Sequence, residues 1–259
     1  MRALVLSGGG SHGAWQAGAI KALCEKYQYD VVVGTSVGSV NAVGLSTSGP
    51  VGLVTFWQEI NGTKDVMCFN WCWPWNFSGI YRFDPLKKLL RSRLQGKHQT
   101  IPAYVASLCL EDSTVHYDLA TGDIDHDVDL MAGSCAISGI QVPTNGRIDG
   151  GHKEQAPVRF AVEVLKANVV DVVLCDPQAD AKPGWKPWRY FPILSIMLRA
   201  LEAMIDEIGR TDVSEYAQVP NLSVYRPANP ISISSLSYDR KSLLSLIDDG
   251  YNEIKGALP

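Results

Sequence analysis

The chain has 259 residues, 46% hydrophobic and 19% charged, a balance that excludes disorder and suits one full-sized α/β domain or at most two small ones. Its formal net charge of -4 removes any broad attraction to nucleic acid, and no apolar run reaches the ~18 residues of a membrane-crossing helix, so any membrane contact is expected to be peripheral. The six cysteines (24, 68, 72, 109, 135 and 175) lack paired metal-ligand spacing and read as reduced thiols of a cytoplasmic protein, and Ala3-Leu4-Val5-Leu6 after Arg2 is too short for a signal-peptide core.

Arg2 to Leu6 reads as a compact apolar strand that runs into Ser7-Gly8-Gly9-Gly10-Ser11-His12-Gly13. Apolar residues at 15, 19, 20, 23 and 27 then predict an amphipathic helix over 14–27. Val31-Val32-Val33 predicts a second, buried strand, and Gly34-Thr35-Ser36-Val37-Gly38 follows at once, with a helix continuing through Val40 to Val43. These elements form a β-α-β start to a parallel sheet. Strand, Gly-x-Ser-x-Gly turn and helix are also the setting of a nucleophile elbow. Ser36 is the candidate nucleophile, with Gly34 and Gly38 placed where side chains would collide. A glycine-rich turn with an incidental serine has the same letters.

The first glycine loop admits two readings. Gly8-x-Gly10-x-x-Gly13 matches the dinucleotide fingerprint, and Asp30 lies about 20 residues on, where a ribose-binding acid is sought. That acid belongs at the carboxyl end of the second strand, however, and Asp30 stands before its start. A P-loop is excluded because no Gly-Lys-Ser/Thr follows. In the hydrolase reading, parallel neighbours bring the loop and Ser36 to one sheet edge. Backbone donors among Gly8, Gly9, Gly10, Ser11 and Gly13, with the positive end of the next helix, then form an oxyanion hole.

From Pro50 to Gly79 the pattern is irregular and rich in aromatics: Phe56, Trp57, Trp71, Trp73, Trp75 and Phe77. An aromatic mini-core capping the site entrance is the favoured reading, against a lid or a surface that dips into lipid. Asp84 as N-cap and Pro85 open a helix over 84–94, whose Lys87, Lys88, Arg91 and Arg93 read as a solvated face. Strands are expected over 104–110 and 115–119. The alternating aspartates of Thr121–Asp129 lack the glycine and glutamate of a calcium loop at Val128 and Ser134, so they read as a solvated hairpin turn with no metal. The small residues 132–136 predict the start of a helix packed beside the sheet. Asp149-Gly150-Gly151 places a carboxylate on a turn whose backbone can come close to a neighbour.

Taken in order, Gly8-Gly9-Gly10-Ser11-His12-Gly13, Gly34-Thr35-Ser36-Val37-Gly38 and Asp149-Gly150-Gly151 resemble the three signatures of the patatin-like phospholipase family. Gly133-Ser134-Cys135-Ala136-Ile137 is similar to the small-residue block that precedes the family's Asp-Gly-Gly. The likeness continues through a helix and strand over 157–176, a late strand over 222–227 and a terminal helix over 239–257. It implies a single domain over 1–259 in the α/β class, a three-layer α/β/α sandwich with a mainly parallel central sheet. It also implies a Ser36–Asp149 dyad that hydrolyses acyl esters of lipids through an acyl-enzyme, with no catalytic histidine, cofactor or metal. One position departs from the pattern: His12 stands where the family usually has arginine, and an imidazole lacks the guanidinium fork, although the backbone donors are unaffected.

An aspartate is a poor base near its free pKa of ~3.9, so the dyad requires burial to raise it. The rival within the class is a Ser–His–Asp triad using His152, which is disfavoured because triad acid and base come from separate loops. Two segments, 66–80 and 182–208, are insertion or lid candidates. The second runs from Trp185 and Trp188 into an amphipathic helix suited to interfacial docking, or to packing on the sheet behind a basic entrance. The expected partners are a lipid ester and a lipid interface, not nucleic acid. The alternatives are a nucleotide-binding oxidoreductase and a catalytically silent lipid-binding module. Headgroup and oligomeric state are not written in the sequence.

Overall fold

The computed structural model describes residues 1–76, 78–177 and 192–258. Its strands, in chain order, are β1 (Arg2–Leu6), β2 (Val31–Thr35), β3 (Cys68–Phe69), β4 (Tyr81–Arg82), β5 (Ala103–Cys109), β6 (Val115–Leu119), β7 (Arg147–Asp149), β8 (Val169–Val173) and β9 (Leu222–Tyr225). The helices are α1 (Gly13–Cys24), α2 (Val37–Glu59), α3 (Trp73–Asn76), α4 (Asp84–Leu94), α5 (Ile124–Ser134), α6 (Pro192–Ser214) and α7 (Arg240–Ala257). The main sheet runs β6-β5-β2-β1-β8-β9, with β7 also paired to β5. Only β6 and β7 are antiparallel to their neighbour β5, so the sheet is mainly parallel, as expected.

The strands alternate between two cores, which is why the central ones read as unbroken apolar runs. Leu4, Leu6, Val32 and Val105 face a core built with α1, α2, α4, α5 and α7. Ala3, Val5, Val31 and Val33 face a second core with Ala156, Val158, Phe160 and Val213 of α6. A helical layer lies on each side, giving the three-layer sandwich. In the first layer α7 lies directly on α1. A Cβ on Gly18 would sit 2.0 Å from the Ile247 carbonyl oxygen, and one on Gly250 2.0 Å from that of Trp15, so both helices need glycine at the crossing.

One polar cluster is built into the sheet. Asp171 of β8 is fully buried and accepts from Arg2 Nε at 2.6 Å and from the Tyr29 hydroxyl at 2.9 Å. The Arg2 guanidinium also lies 3.7 Å from the Tyr27 ring centre, in the range of a cation–π contact.

Several expectations are corrected. Residues 50–59 are helical, because α2 kinks at Gly49, with φ of 66°, and resumes with Pro50. The aspartates of 121–129 form no hairpin; Asp123 caps α5 and Asp127 ties down the turn before it. Asp123 accepts from the His126 amide at 3.1 Å, while buried Asp127 accepts from the amides of Thr121 and Gly122 at 2.8 and 2.9 Å. Capping spends carboxylates on orphan N–H groups at a helix start, a use that alternating spacing does not reveal. The small residues 132–136 consequently lie at the end of α5, not at a helix start. Asp84, expected as the cap of α4, is its first helical residue, and Phe83 takes the cap position. The basic face of that helix is not merely solvated: Lys87 pairs with Asp129 at 2.9 Å, Arg91 with Asp125 at 2.7 Å, and Arg93 with Glu59.

The aromatic stretch divides. Phe56 and Trp57 are buried in the first core, but Trp71 and Trp75 are 78% and 81% exposed beside the small β3–β4 hairpin, so they form no mini-core. Phe77, Trp185 and Trp188 lie outside the described residues, as does 182–191 of the second lid candidate. The rest of that candidate is α6, with Met197 and Met204 exposed. Among the described residues, no helix is long and apolar enough to cross a membrane. All six cysteines are free.

Candidate active site

The sheet itself brings Ser36 and Asp149 together. β2 runs parallel to β5 and ends with Thr35 opposite Ala106. β7 runs antiparallel to β5 and ends with Asp149 opposite Ser107, the next residue along. The other edge of β5 is occupied by β6, so β2 and β7 share one edge and meet head to head. Their two chain ends turn away at the same point. The Ser36 hydroxyl donates to Asp149 Oδ2 at 2.6 Å.

The elbow backbone is held against its own preference. Ser36 has φ of 54°, a left-handed conformation that is costly for a non-glycine residue. Its amide donates to Ser134 Oγ at 2.8 Å, and Ser134 in turn donates to the Ala106 carbonyl at 2.6 Å. Its carbonyl accepts from the Ser39 amide at 2.9 Å and the Ser39 hydroxyl at 2.6 Å. The glycines on either side permit close approach: a Cβ on Gly38 would lie 2.4 Å from the Leu6 carbonyl oxygen, so α2 could not start where it does.

Asp149 is almost fully buried. Its Oδ1 accepts from the Gly151 amide at 2.8 Å, which leaves Oδ2 directed at Ser36. Burial pushes the carboxyl above its ordinary range, opposed by the Ser36 hydrogen bond, the nearby His152 and the Gly151 amide. His152 does not orient this carboxylate. Its Nδ1–H donates to the Asp149 main-chain carbonyl at 2.7 Å, and among the described residues its buried Nε2 has no partner. The Cys135 thiol beside Ser36 and Asp149 is held protonated by burial and by the Asp149 charge.

The glycine loop lies beside Ser36 at the same sheet edge, since β1 and β2 are parallel neighbours. Three of its five predicted donors already have acceptors. The Gly8 amide donates to the Gln155 carbonyl at 3.1 Å, that of Ser11 to the Ser235 carbonyl at 2.7 Å, and that of Gly13 to the Gly10 carbonyl. Among the described residues the amides of Gly9 and Gly10 have no acceptor. Gly13 serves packing, because a Cβ there would meet Val37 at 2.5 Å.

Residues that sequence reasoning passed over fix this loop. Gln16 of α1 donates to the carbonyls of Ser7 and Val173 at 3.2 and 2.9 Å. Asn41 of α2 donates to Gln16 Oε1 at 2.9 Å and to the Gly13 carbonyl at 3.0 Å, and accepts from Trp57 Nε1 at 2.8 Å. A glutamine and an asparagine on otherwise apolar helix faces were the available signal. His12 is explained as well. Its Nε2–H donates to the Ile233 carbonyl at 2.9 Å, and Ser11 Oγ donates to that of Ser234 at 3.1 Å, so residues 233–235 form a strap across the loop. Behind the loop, Asp212 of α6 accepts from the amides of Gln155 and Ala156 at 2.7 and 2.9 Å. Asp30, the ribose acid of the rival reading, is at the opposite end of β2 and accepts from the Arg2 amide at 2.6 Å.

Ser36 and Gly10 open into an apolar cavity walled by Val40, Phe56, Trp57, Ile60, Phe83 and Tyr238, among others. A second crevice lies between α2 and α4 and shares Val40 and Phe56 with the first.

Among known proteins, no curated sequence matches this chain. The crystal structure of VipD from Legionella pneumophila is similar with a TM-score of 0.46 and 12% identity, covering 98% of this chain and 66% of that one, so the chain spans somewhat under two thirds of the neighbour's length. The family model of patatin-like phospholipase matches residues 4–162, a stretch that holds the glycine loop, the elbow and the Asp-Gly-Gly turn. The chain belongs to the patatin-like phospholipase family.

Proposed function

We propose that this protein is a serine lipid acyl hydrolase in which Ser36 is the nucleophile and Asp149 its base. The supporting observation is the 2.6 Å hydrogen bond from the Ser36 hydroxyl to a buried carboxylate at the mouth of an apolar cavity. Ser36 Oγ attacks the ester carbonyl carbon as its proton passes to Asp149 Oδ2. The free amides of Gly9 and Gly10 take the developing oxyanion. Collapse breaks the carbon–oxygen bond, the leaving alcohol takes the proton from Asp149, and an acyl-enzyme remains. Water then attacks with Asp149 again accepting the proton, releasing a fatty acid and restoring the Ser36 hydroxyl.

The experiment is intact-mass analysis after incubation with a fluorophosphonate probe, beside turnover of a short-chain chromogenic ester. Wild type gains one adduct and turns over the ester, and Ser36→Ala does neither; equal labelling of the two proteins would refute the nucleophile. A silent lipid-binding module would show no labelling of wild type even with liposomes present. Exposed Trp71 and Trp75 support a lipid interface as the place where substrate is met. In the same assay Trp71→Ala/Trp75→Ala loses liposome binding while keeping soluble-ester turnover.

The cavity supports long acyl chains as the substrate class, and Phe56 lines both it and the neighbouring crevice. Phe56→Ala joins the cavity to the crevice behind it, and the ratio of kcat/KM for a long-chain over a short-chain ester rises by about tenfold. An unchanged chain-length profile in a folded variant places the acyl chain elsewhere.

A further inference from the structure

A group of metal-ligating side chains lies on the β5–β6 hairpin, and the acyl chemistry does not use it. Cys109 is the last residue of β5, Asp112 lies in the turn and His116 is the second residue of β6. One ligand atom from each, a thiol sulfur, a carboxylate oxygen and an imidazole nitrogen, lie within 4.8 Å of one another. The sequence gives the spacing Cys-x-x-Asp-x-x-x-His. A tight turn carrying the first two donors and a strand returning the third is a compact way to bring three ligands to one point.

The turn holds this arrangement in place. Ser113 takes a left-handed φ of 58°, its amide donates to the Cys109 carbonyl at 3.0 Å, and the Cys109 amide donates to the Thr114 carbonyl at 2.9 Å. Lys153 also reaches the turn, donating to the Ser113 carbonyl at 3.0 Å. The Asp112 carboxylate is oriented by its own neighbour. Oδ1 accepts from both the amide and the hydroxyl of Thr114 at 2.9 Å, so Oδ2 is left directed at His116 Nε2, 2.8 Å away. Fixing one carboxylate oxygen so that the other faces the ion is how outer partners position a metal ligand.

We propose that Cys109, Asp112 and His116 form a binding site for a divalent transition-metal ion, best suited to zinc. Thiolate, imidazole and carboxylate together make a borderline-soft donor set, which favours zinc over magnesium or calcium. Bond lengths of about 2.0–2.3 Å in a tetrahedron place donor atoms about 3.3–3.7 Å apart, a spacing that side-chain rotation reaches from the present one. The side chains of His116 and Asp112 are 35% and 47% exposed, which leaves the fourth position open to water. Binding releases the Cys109 thiol proton, and the imidazole carries its remaining proton on Nδ1 so that the Nε2 lone pair faces the metal. The hairpin supports the catalytic edge, because the same strand places Ser107 opposite Asp149 and supplies the Ala106 carbonyl to Ser134. Metal binding therefore stiffens the strand on which the dyad is assembled.

The test titrates chelator-stripped protein with Zn²⁺ against a chromophoric chelator, and separately with Co²⁺, whose thiolate complexes absorb by charge transfer. The expected result is one equivalent of Zn²⁺ per chain, a raised Tm, and a cobalt–thiolate band. Cys109→Ser abolishes the band, His116→Ala weakens Zn²⁺ binding by about tenfold or more, and Cys68→Ser/Cys72→Ser changes neither. Ser36→Ala still binds the metal, so this result is independent of the hydrolase reading. No band in the folded wild type, or a band that survives Cys109→Ser, overturns the site.

Discussion

Asp149→Asn is expected to lower kcat for a chromogenic ester by about 10²–10⁴-fold, the range of a lost general base, while His152→Ala keeps most of the activity. The asparagine fills the same space and can still accept from the Ser36 hydroxyl, but it cannot take the proton. His152 touches the Asp149 main chain and not the carboxylate. Equal losses in the two variants would replace the dyad with a triad. The pH profile gives a second readout. Burial raises the Asp149 carboxyl, and the base must be ionised to act, so activity rises with pH on a limb displaced above the ordinary carboxylate range. Asp149→Asn removes that limb along with the rate. The sign for stability is opposite. Protonated Asp149 favours the folded state, and that contribution is lost as pH rises from the unfolded value near ~3.9 through the raised folded one.

Asp171→Ala is expected to cost about 3–5 kcal/mol of stability, read as a lower urea midpoint at unchanged slope. The carboxylate is fully buried in β8 and satisfies two groups that are remote in sequence, Arg2 of the neighbouring strand β1 and Tyr29. Its removal leaves the Tyr29 hydroxyl without an acceptor and a guanidinium short of its counter-charge. Arg2 is partly open to solvent, which places the loss at the lower end of the range. Asp171→Asn retains an acceptor for Tyr29 and should lose less. A shift below about 1 kcal/mol for the alanine variant would show that water replaces the carboxylate.

Local signals were read well where one residue type has one physical use. Unbroken apolar strands, the glycines at 34 and 38 and the early β-α-β order all gave correct elements, because burial and close approach leave few alternatives. The meeting of Ser36 with Asp149 had a different source. It rests on family resemblance, since the strand reversal that lets β7 share an edge with β2 involves partners 113 residues apart. Failures came where one residue type serves several ends. Aspartates 123 and 127 looked solvated, yet Asp123 caps α5 and buried Asp127 holds the turn before it, and Trp71 looked buried beside Trp57 and is not. Gln16 and Asn41 were missed because a polar side chain on an apolar helix gives no hint of the carbonyls it will find.

The glycine crossing of α1 and α7 also sets the order of assembly. Residues 13–24 leave the ribosome more than two hundred residues before 240–257, which carry a surface that covers them. Until those emerge, the apolar flank of α1 and the unpaired edge of β1 wait in a partly formed domain, because β8 too is supplied late. Such a nascent chain is a natural client for a chaperone until residues 240–257 have been made. Shortening the chain before residue 240 should therefore give aggregates in place of a smaller folded body.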